Sequence, residues 1–423
     1  MRAKLFIEEI MYEILKEVSE DYFQKKKIAQ DMSAEELYKK ILDTMDMDIV
    51  EDDGKEGTII FPTPGCPHNV KDGHHCGCSF CDWNDTYVAH PAYVFELRKK
   101  DANLYRNMQL EYLRRLRESN HSVHIFEEYA IHDCFDEKEL SEEERNYLFE
   151  EKHAIGEMPI IALAQVRAES ITKEKLQKWK GMAKRQLTLG IGVETGEQWI
   201  RNHWLNKKMD DDTIRRAVTV AHENKCKVSA NILMMLPGLT LKQNVELLKE
   251  SVKKLDTFGI DSFMLSPLVV KKYTIQKNIK SSNLENENCI SGMLLIFKEI
   301  GSLDKKYQEK LMFSSINFKD YFAQFKLSEQ QIEQVDKMLE LLTAGGMKSA
   351  QIEKIADMFQ VNCNKEFYEQ YQAMDGMDKI KTTLQNAAFE LVTNVLEESR
   401  QKEVLTIFQK ELNNWDERKD AKI

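Results

Sequence analysis

The chain has 423 residues and a formal net charge of −11, with 31% charged and 42% hydrophobic residues, the balance of an ordinary globular protein long enough to bury a full core. No Lys/Arg block exceeds the short runs Lys25-Lys26-Lys27 and Lys271-Lys272, so the bulk charge argues against a large nucleic-acid partner. No run of 18 apolar residues exists, which excludes a transmembrane helix of ordinary hydropathy.

The first stretch, MRAKLFIEEIMYEILKEVSEDYF, carries acids through its apolar positions and lacks the uninterrupted core of a signal peptide. A cytoplasmic protein is expected. In that compartment clustered cysteines point to metal or redox chemistry more than to disulfides. Residues 1–55 form an N-terminal helical segment: Leu5, Ile7, Ile10, Met11, Ile14, Leu15 and Val18 recur near helical spacing, and Ser33 with Glu36 makes a capping box before Leu37 and Ile41. Asp52-Asp53-Gly54 breaks it.

Over 56–282 the pattern becomes alternating. Strands are expected at 58–61, 123–126, 159–164, 187–193, 227–236 and 261–265. Helices are expected between and after them at 93–118, 138–151, 172–183, 211–224 and 241–258. That makes at most six β-α repeats and implies a parallel sheet with right-handed crossovers, either an open doubly wound sheet or a barrel. In both, ligands sit at the C-terminal ends of the strands. Residues 283–423 read as a helical C-terminal region, with helices at 289–299, 329–342, 349–359, 379–399 and 403–415 and a turn at Ala344-Gly345-Gly346.

Directly after the first strand, residues 66–84 read CPHNVKDGHHCGCSFCDWN. Four of the eight cysteines lie there, spaced Cys66-x9-Cys76-x-Cys78-x2-Cys81. Two thiolates at C-x2-C spacing grip one ion or cluster. On this segment alone a structural zinc site completed by Cys76, His68, His74 or His75 competes with an iron–sulfur site. Its place after a strand favours a catalytic role.

Three further stretches bear on the choice: Ser79-Phe80-Cys81, the strand end Gly190-Ile-Gly-Val-Glu194-Thr-Gly196, and the run from Lys227 through Asn231 to Pro237-Gly238. Together over about 57–270 they resemble the radical S-adenosylmethionine superfamily. Within it, Pro62-Thr-Pro-Gly-Cys66 and Cys78-Ser-Phe-Cys81 are most similar to the branch that includes the radical subunit of archaeosine synthase and bacterial relatives of unknown role. The usual C-x3-C-x2-C signature is absent. The resemblance implies a partial (β/α)6 TIM-like barrel carrying a 4Fe-4S cluster on Cys66, Cys78 and Cys81, with Cys76 extra or in place of Cys78. It implies S-adenosylmethionine as cosubstrate and a one-electron reductant as partner.

The same resemblance assigns further cofactor-binding residues. Phe80 precedes the last cysteine. Glu128, or else Glu127, ends strand two where the family holds the amino group of S-adenosylmethionine, without the family's glycines. Arg167 ends strand three and either meets a carboxylate or pairs with Glu169 or Glu194. Glu194 ends strand four at the ribose position, with Thr195 a weaker neighbour. Asn231 lies on strand five, and Met235 stands where relatives carry glycine. No catalytic residue is singled out: Cys134, in His132-Asp133-Cys134, reads as a buried inert thiol, and Ser266-Pro267 as substrate-side lining. The implied substrate is a small metabolite, a peptide, or a nucleoside in tRNA, with no membrane. The reading of a different class is a zinc-bound regulatory or adaptor protein on a degenerate barrel.

Overall fold

The computed structural model describes the chain except residues 1–4, 46–49, 52–55, 60, 72–73, 82–88, 120–124, 130–131, 149–162, 181–186, 281–287, 314, 344–348, 363–364 and 416–423. Apolar stripes build the N-terminal helices α1 (Phe6–Ile14), α2 (Lys16–Asp31) and α3 (Ala34–Thr44). The box before α3 is closed: Glu36 N–H donates to Ser33 Oγ at 3.2 Å, and Ser33 N–H to the Glu36 carboxylate at 2.7 Å.

Strand β1 (Val50–Glu51) and strand β2 (Glu56–Ile59) are followed by the small hairpin β3 (Val70–Lys71) and β4 (His74–His75). Helices α4 (Pro91–Lys100) and α5 (Ala102–Ser119) replace the single helix expected at 93–118. The break is local chemistry: Asp101 Oδ1 accepts the N–H groups of Asn103 and Leu104, starting a new helix. The chain continues through β5 (Ile125–Tyr129), α6 (Glu142–Leu148), β6 (Leu163–Val166), α7 (Lys173–Lys180), β7 (Thr188–Glu194), α8 (Asp211–Glu223), β8 (Lys227–Leu233), α9 (Leu241–Asp256) and β9 (Ser262–Ser266). Then come α10 (Ile275–Asn278), α11 (Cys289–Ile300), α12 (Lys305–Gln308), β10 (Leu311–Phe313), α13 (Ser315–Ala323), α14 (Glu329–Thr343), α15 (Ser349–Asn362), α16 (Lys365–Ala373), α17 (Ile380–Val395) and α18 (Glu398–Asn413).

The sheet order is β1-β2-β5-β6-β7-β8-β9-β10. β1 is antiparallel to β2, and every later pairing is parallel. This is the expected α/β class, a partial TIM-like barrel with helices in its crossovers. Three expectations need correction. The helical segment expected over 1–55 includes strand β1, which forms because β2 offers it an edge. The region 283–423 is not helical throughout, because β10 adds a further parallel strand beyond the six expected, on the free edge of β9. A three-residue apolar run has no period of its own and forms a strand only because that edge is open. The helices expected at 379–399 and 403–415 are α17 and α18, but the boundary between them comes earlier, at Leu396 and Glu397. Strand ends at 123–124 and 159–162, helix ends at 149–151 and 181–183, Asp82, Cys363 and the turn at 344–346 lie outside the described residues.

One apolar core lies between the sheet and its flanking helices. A second joins both ends of the chain over the loops that follow β7 and β8: Phe6 and Ile7 of α1 meet Trp199, Trp204, Leu236, Leu239, Leu384 and Phe408. Polar clasps fix its edge. Phe6 N–H donates to Glu411 at 2.8 Å, and Arg400 bonds Glu9 at 2.6 Å and Glu13 at 3.0 Å. Among the described residues no helix is long and apolar enough to cross a membrane.

Candidate metal and cofactor centre

The cysteine segment leaves the C-terminal end of β2 and is held by the loop that leaves β7. Trp204 and Leu205 offer their carbonyls to Ser79, from Oγ at 2.8 Å and from N–H at 3.1 Å. Asn206 Nδ2 donates to the carbonyls of Gly77 at 2.8 Å and Cys76 at 3.1 Å. His68 Nε2–H donates to Asn206 O at 2.7 Å; burial and the nearby Arg167, Lys207 and Lys208 charges keep that ring neutral. The supporting loop is itself rigid. It begins as a buried π-turn, Ile200–Trp204, a rare form that is frequent at functional sites. Asn206 and Lys208 then take left-handed backbone angles. Inside it the buried Arg201 guanidinium bonds Thr195 O, Gly196 O, Met209 O and Asp211 at 2.8–3.3 Å.

Cys78 and Cys81 share one turn, closed by Cys81 N–H to Cys78 O at 3.2 Å. Cys66 comes close enough to Cys78 for a charge on Cys78 to bear on the Cys66 thiol. Burial pushes the Cys66 thiol well up, Glu139 and Cys78 add to this, and Arg167 and the His68 N–H oppose it. Cys76 faces elsewhere. Its Sγ contacts Glu8 O at 3.8 Å, and its side chain belongs to the second apolar core. Among the described residues no group of three or more His, Cys, Asp or Glu is placed to hold a metal ion.

Two cations face Cys78. Burial works against the Arg167 charge, but Glu169, Cys78 and Cys66 hold its pKa above the ordinary value. The guanidinium bonds Glu169 at 2.7 Å and Lys207 O at 2.5 Å, so of the two ion-pair partners expected it takes Glu169. Lys207, absent from the sequence-based candidates, is the second cation. Its ammonium bonds Glu194 Oε1 at 3.1 Å and sits 5.7 Å from the centre of the Phe80 ring. Burial again opposes its charge, and Cys78 and Glu194 outweigh it.

Glu194 reaches Lys207 because β7 ends in a bulge. The register with β8 steps from Gly192–Asn231 to Glu194–Ile232, and Glu194 adopts φ +68°. A Cβ on Gly192 would lie 2.7 Å from Glu194 Oε1 and 2.9 Å from Lys207 Nζ, so a larger residue there would push the ends of this pair aside. Asn231 donates from Nδ2 to Gln165 Oε1 at 3.1 Å. Thr195 turns away into α9, where its Oγ1 meets Ser251 Oγ at 3.3 Å. Glu127 and Glu128 lie in β5, and their side chains fall outside the described residues. Met235 accepts from the Tyr321 hydroxyl at 3.9 Å. Ser266 Oγ accepts from Asn317 Nδ2 at 2.9 Å, bringing α13 to the end of β9.

Behind Cys66 the loop after β5 carries buried acids. Asp133 Oδ2 accepts from Ser170 Oγ at 2.5 Å. Burial pushes its carboxyl up to about 7, with Glu139 adding and the Ser170 and Phe135 hydrogen bonds opposing. From its ordinary value of 3.8 up to about 7, the unfolded chain has released this proton and the folded chain retains it. The group's contribution to stability therefore falls as pH rises through that window. Asp133→Asn should flatten that fall in urea-unfolding midpoints measured from pH 4 to 7; an unchanged slope would assign it to other groups.

No protein-family model matches the chain. It is 24% identical over 297 residues to the uncharacterized protein MJ0550 of Methanocaldococcus jannaschii, covering 70% of this chain and 76% of that protein. Among solved structures it is similar to the radical S-adenosylmethionine methyltransferase TsrM from Kitasatospora setae with cobalamin and a 4Fe-4S cluster bound. That match has TM-score 0.28 and 13% identity, over 55% of this chain and 37% of that one. Streptococcus suis SuiB bound to S-adenosylmethionine gives TM-score 0.39 and 14% identity over 66% and 54%, and methylornithine synthase PylB gives 0.37 and 15% over 81% and 99%. The matched part of this chain thus spans under two thirds of TsrM and SuiB. Scores of this size are too low to carry an assignment.

Proposed function

We propose that the chain is a radical S-adenosylmethionine enzyme of the branch that shares the Pro-Gly-Cys66 and Cys78-x2-Cys81 pattern. It would cleave S-adenosylmethionine reductively to a 5′-deoxyadenosyl radical and abstract hydrogen from a small-molecule, peptide or nucleoside substrate. The observation that carries the reading is convergence. The loops after three parallel strands, β2, β6 and β7, bring Cys66, Cys78, Arg167, Lys207 and Glu194 into one electrostatic neighbourhood. That is the strand end at which this fold class binds ligands.

The residues present fit the implied groups in chemistry. Thiols on Cys66, Cys78 and Cys81 are soft donors for iron, and two buried cations beside Cys78 match the negative charge of a thiolate-ligated cluster. A cluster held by three thiolates leaves one iron open for S-adenosylmethionine and supplies an electron to its sulfonium. Arg167 and Lys207 would hold the cosubstrate's carboxylate, Glu194 its ribose hydroxyls, and Asn231 with Gln165 a polar edge. Phe80 would shield the cysteine turn from water, and Lys207, stacked on that ring, would keep it in place. An outside one-electron donor is required.

The test is anaerobic. The full chain is loaded with iron and sulfide, reduced, mixed with S-adenosylmethionine and assayed for 5′-deoxyadenosine by mass spectrometry. Its appearance is expected. A protein that takes up zinc, stays colourless and yields none would overturn the reading in favour of the adaptor.

A further inference from the structure

The Glu139 side chain is fully buried and lies in the turn between β5 and α6, outside every group assigned above. Its carboxylate accepts four hydrogen bonds: Thr63 Oγ1 at 3.1 Å, His132 N–H at 3.2 Å, His132 Nδ1–H at 2.6 Å and Asp133 N–H at 2.9 Å. A buried carboxylate with four donors is a fixed charge, since any shift of the side chain would strand several of them. One of those bonds leads to the cysteine segment. Thr63 Oγ1, which donates to Glu139, accepts from Gly65 N–H at 3.3 Å, and Gly65, at φ +95°, turns the chain directly into Cys66. Glu139 also acts on Cys66 through space, adding to the effect of burial. The two sides of the cysteine set therefore differ in sign: Arg167 and Lys207 face Cys78, while Glu139 stands behind Cys66.

We propose that Glu139 is a positioning residue for Cys66, through Thr63 and Gly65, and that its buried charge makes a cluster bound there a stronger reductant. The inference rests on the proposed function. A fixed negative charge disfavours gain of an electron nearby, and charge and hydrogen bonding are among the terms that set cluster potentials. Charge of that sign suits a centre that must reduce a sulfonium.

The test is a redox titration of the iron- and sulfide-loaded full chain, wild type against Glu139→Gln and Glu139→Asp, read by electron paramagnetic resonance. Glu139→Gln should favour the reduced cluster about tenfold, a rise of roughly 59 mV for one electron. Glu139→Asp, which keeps the charge, should hold the potential closer to wild type than Glu139→Gln does. If Glu139→Gln loses the cluster while Glu139→Asp keeps it at the wild-type potential, the need for charge is upheld. An intact cluster of unchanged potential in Glu139→Gln overturns the inference alone. A wild-type chain that takes up no 4Fe-4S cluster overturns the proposed function and this inference together.

Discussion

Cys78→Ala and Cys81→Ala should each bring iron uptake, brown colour and S-adenosylmethionine cleavage to background, whereas Cys76→Ala should keep all three. Cys78 lies beside two buried cations, and Cys81 is tied to it by one turn. Removing either thiol would leave the proposed cluster one ligand short, with Cys76 engaged elsewhere. That sulfur points to Glu8 O on α1 and packs in the second apolar core, so it would have to leave that core to reach the others. Cys76→Ala should cost only about 1 kcal/mol of packing, the ordinary scale for one small substitution. Iron and sulfide content with the visible spectrum reads the outcome. Cleavage that survives in Cys78→Ala but not in Cys76→Ala would exchange the roles of the two residues.

Lys207→Met should lower unfolding stability by about 3–5 kcal/mol, because it strands a buried partner. Both side chains of the Lys207–Glu194 pair are about nine-tenths buried, at 10% and 9% exposure, so solvent screening is weak. Without the ammonium, the Glu194 carboxylate keeps its left-handed backbone position on the bulge and loses its 3.1 Å partner. The Lys207→Met/Glu194→Gln double variant should recover part of the loss, since no buried charge is then left alone. Urea unfolding of the four proteins measures the coupling. A single-variant loss below about 1 kcal/mol would mean that water reaches the pair as it does at a surface. Binding of S-adenosylmethionine by equilibrium dialysis should weaken in Lys207→Met whichever way stability falls, because a cation of the proposed site is gone.

The strands were legible because each inner one is an apolar run bounded by polar, periodic helix sequence. The cysteine spacing was legible for a similar reason, since C-x2-C fixes two thiols on one turn. Lys207 was not. The stretch Trp204-Leu-Asn-Lys-Lys208 has no period and no motif, and its value lies in carbonyls and an amide that meet a segment about 130 residues earlier. Glu139 was hidden among neighbouring charges, Asp136-Glu-Lys-Glu139, at the start of the helix expected over 138–151. Only packing shows that one of those four is buried with four donors around it. Strand β10 was hidden by shortness, and the Asp101 break by a continuous apolar pattern on both sides of it.

Local pattern alone decided the order of strands β2 and β5 to β9 with the helices between them, and the turn joining Cys78 to Cys81, because those depend on neighbours a few residues apart. The tertiary structure decided which cysteine faces which environment. Cys76 and Cys78 stand two residues apart in one segment, yet α1 captures the first in an apolar core while the loops after β6 and β7 set Arg167 and Lys207 against the second. No spacing rule distinguishes them, since the groups that do so arrive from parts of the chain far apart in sequence.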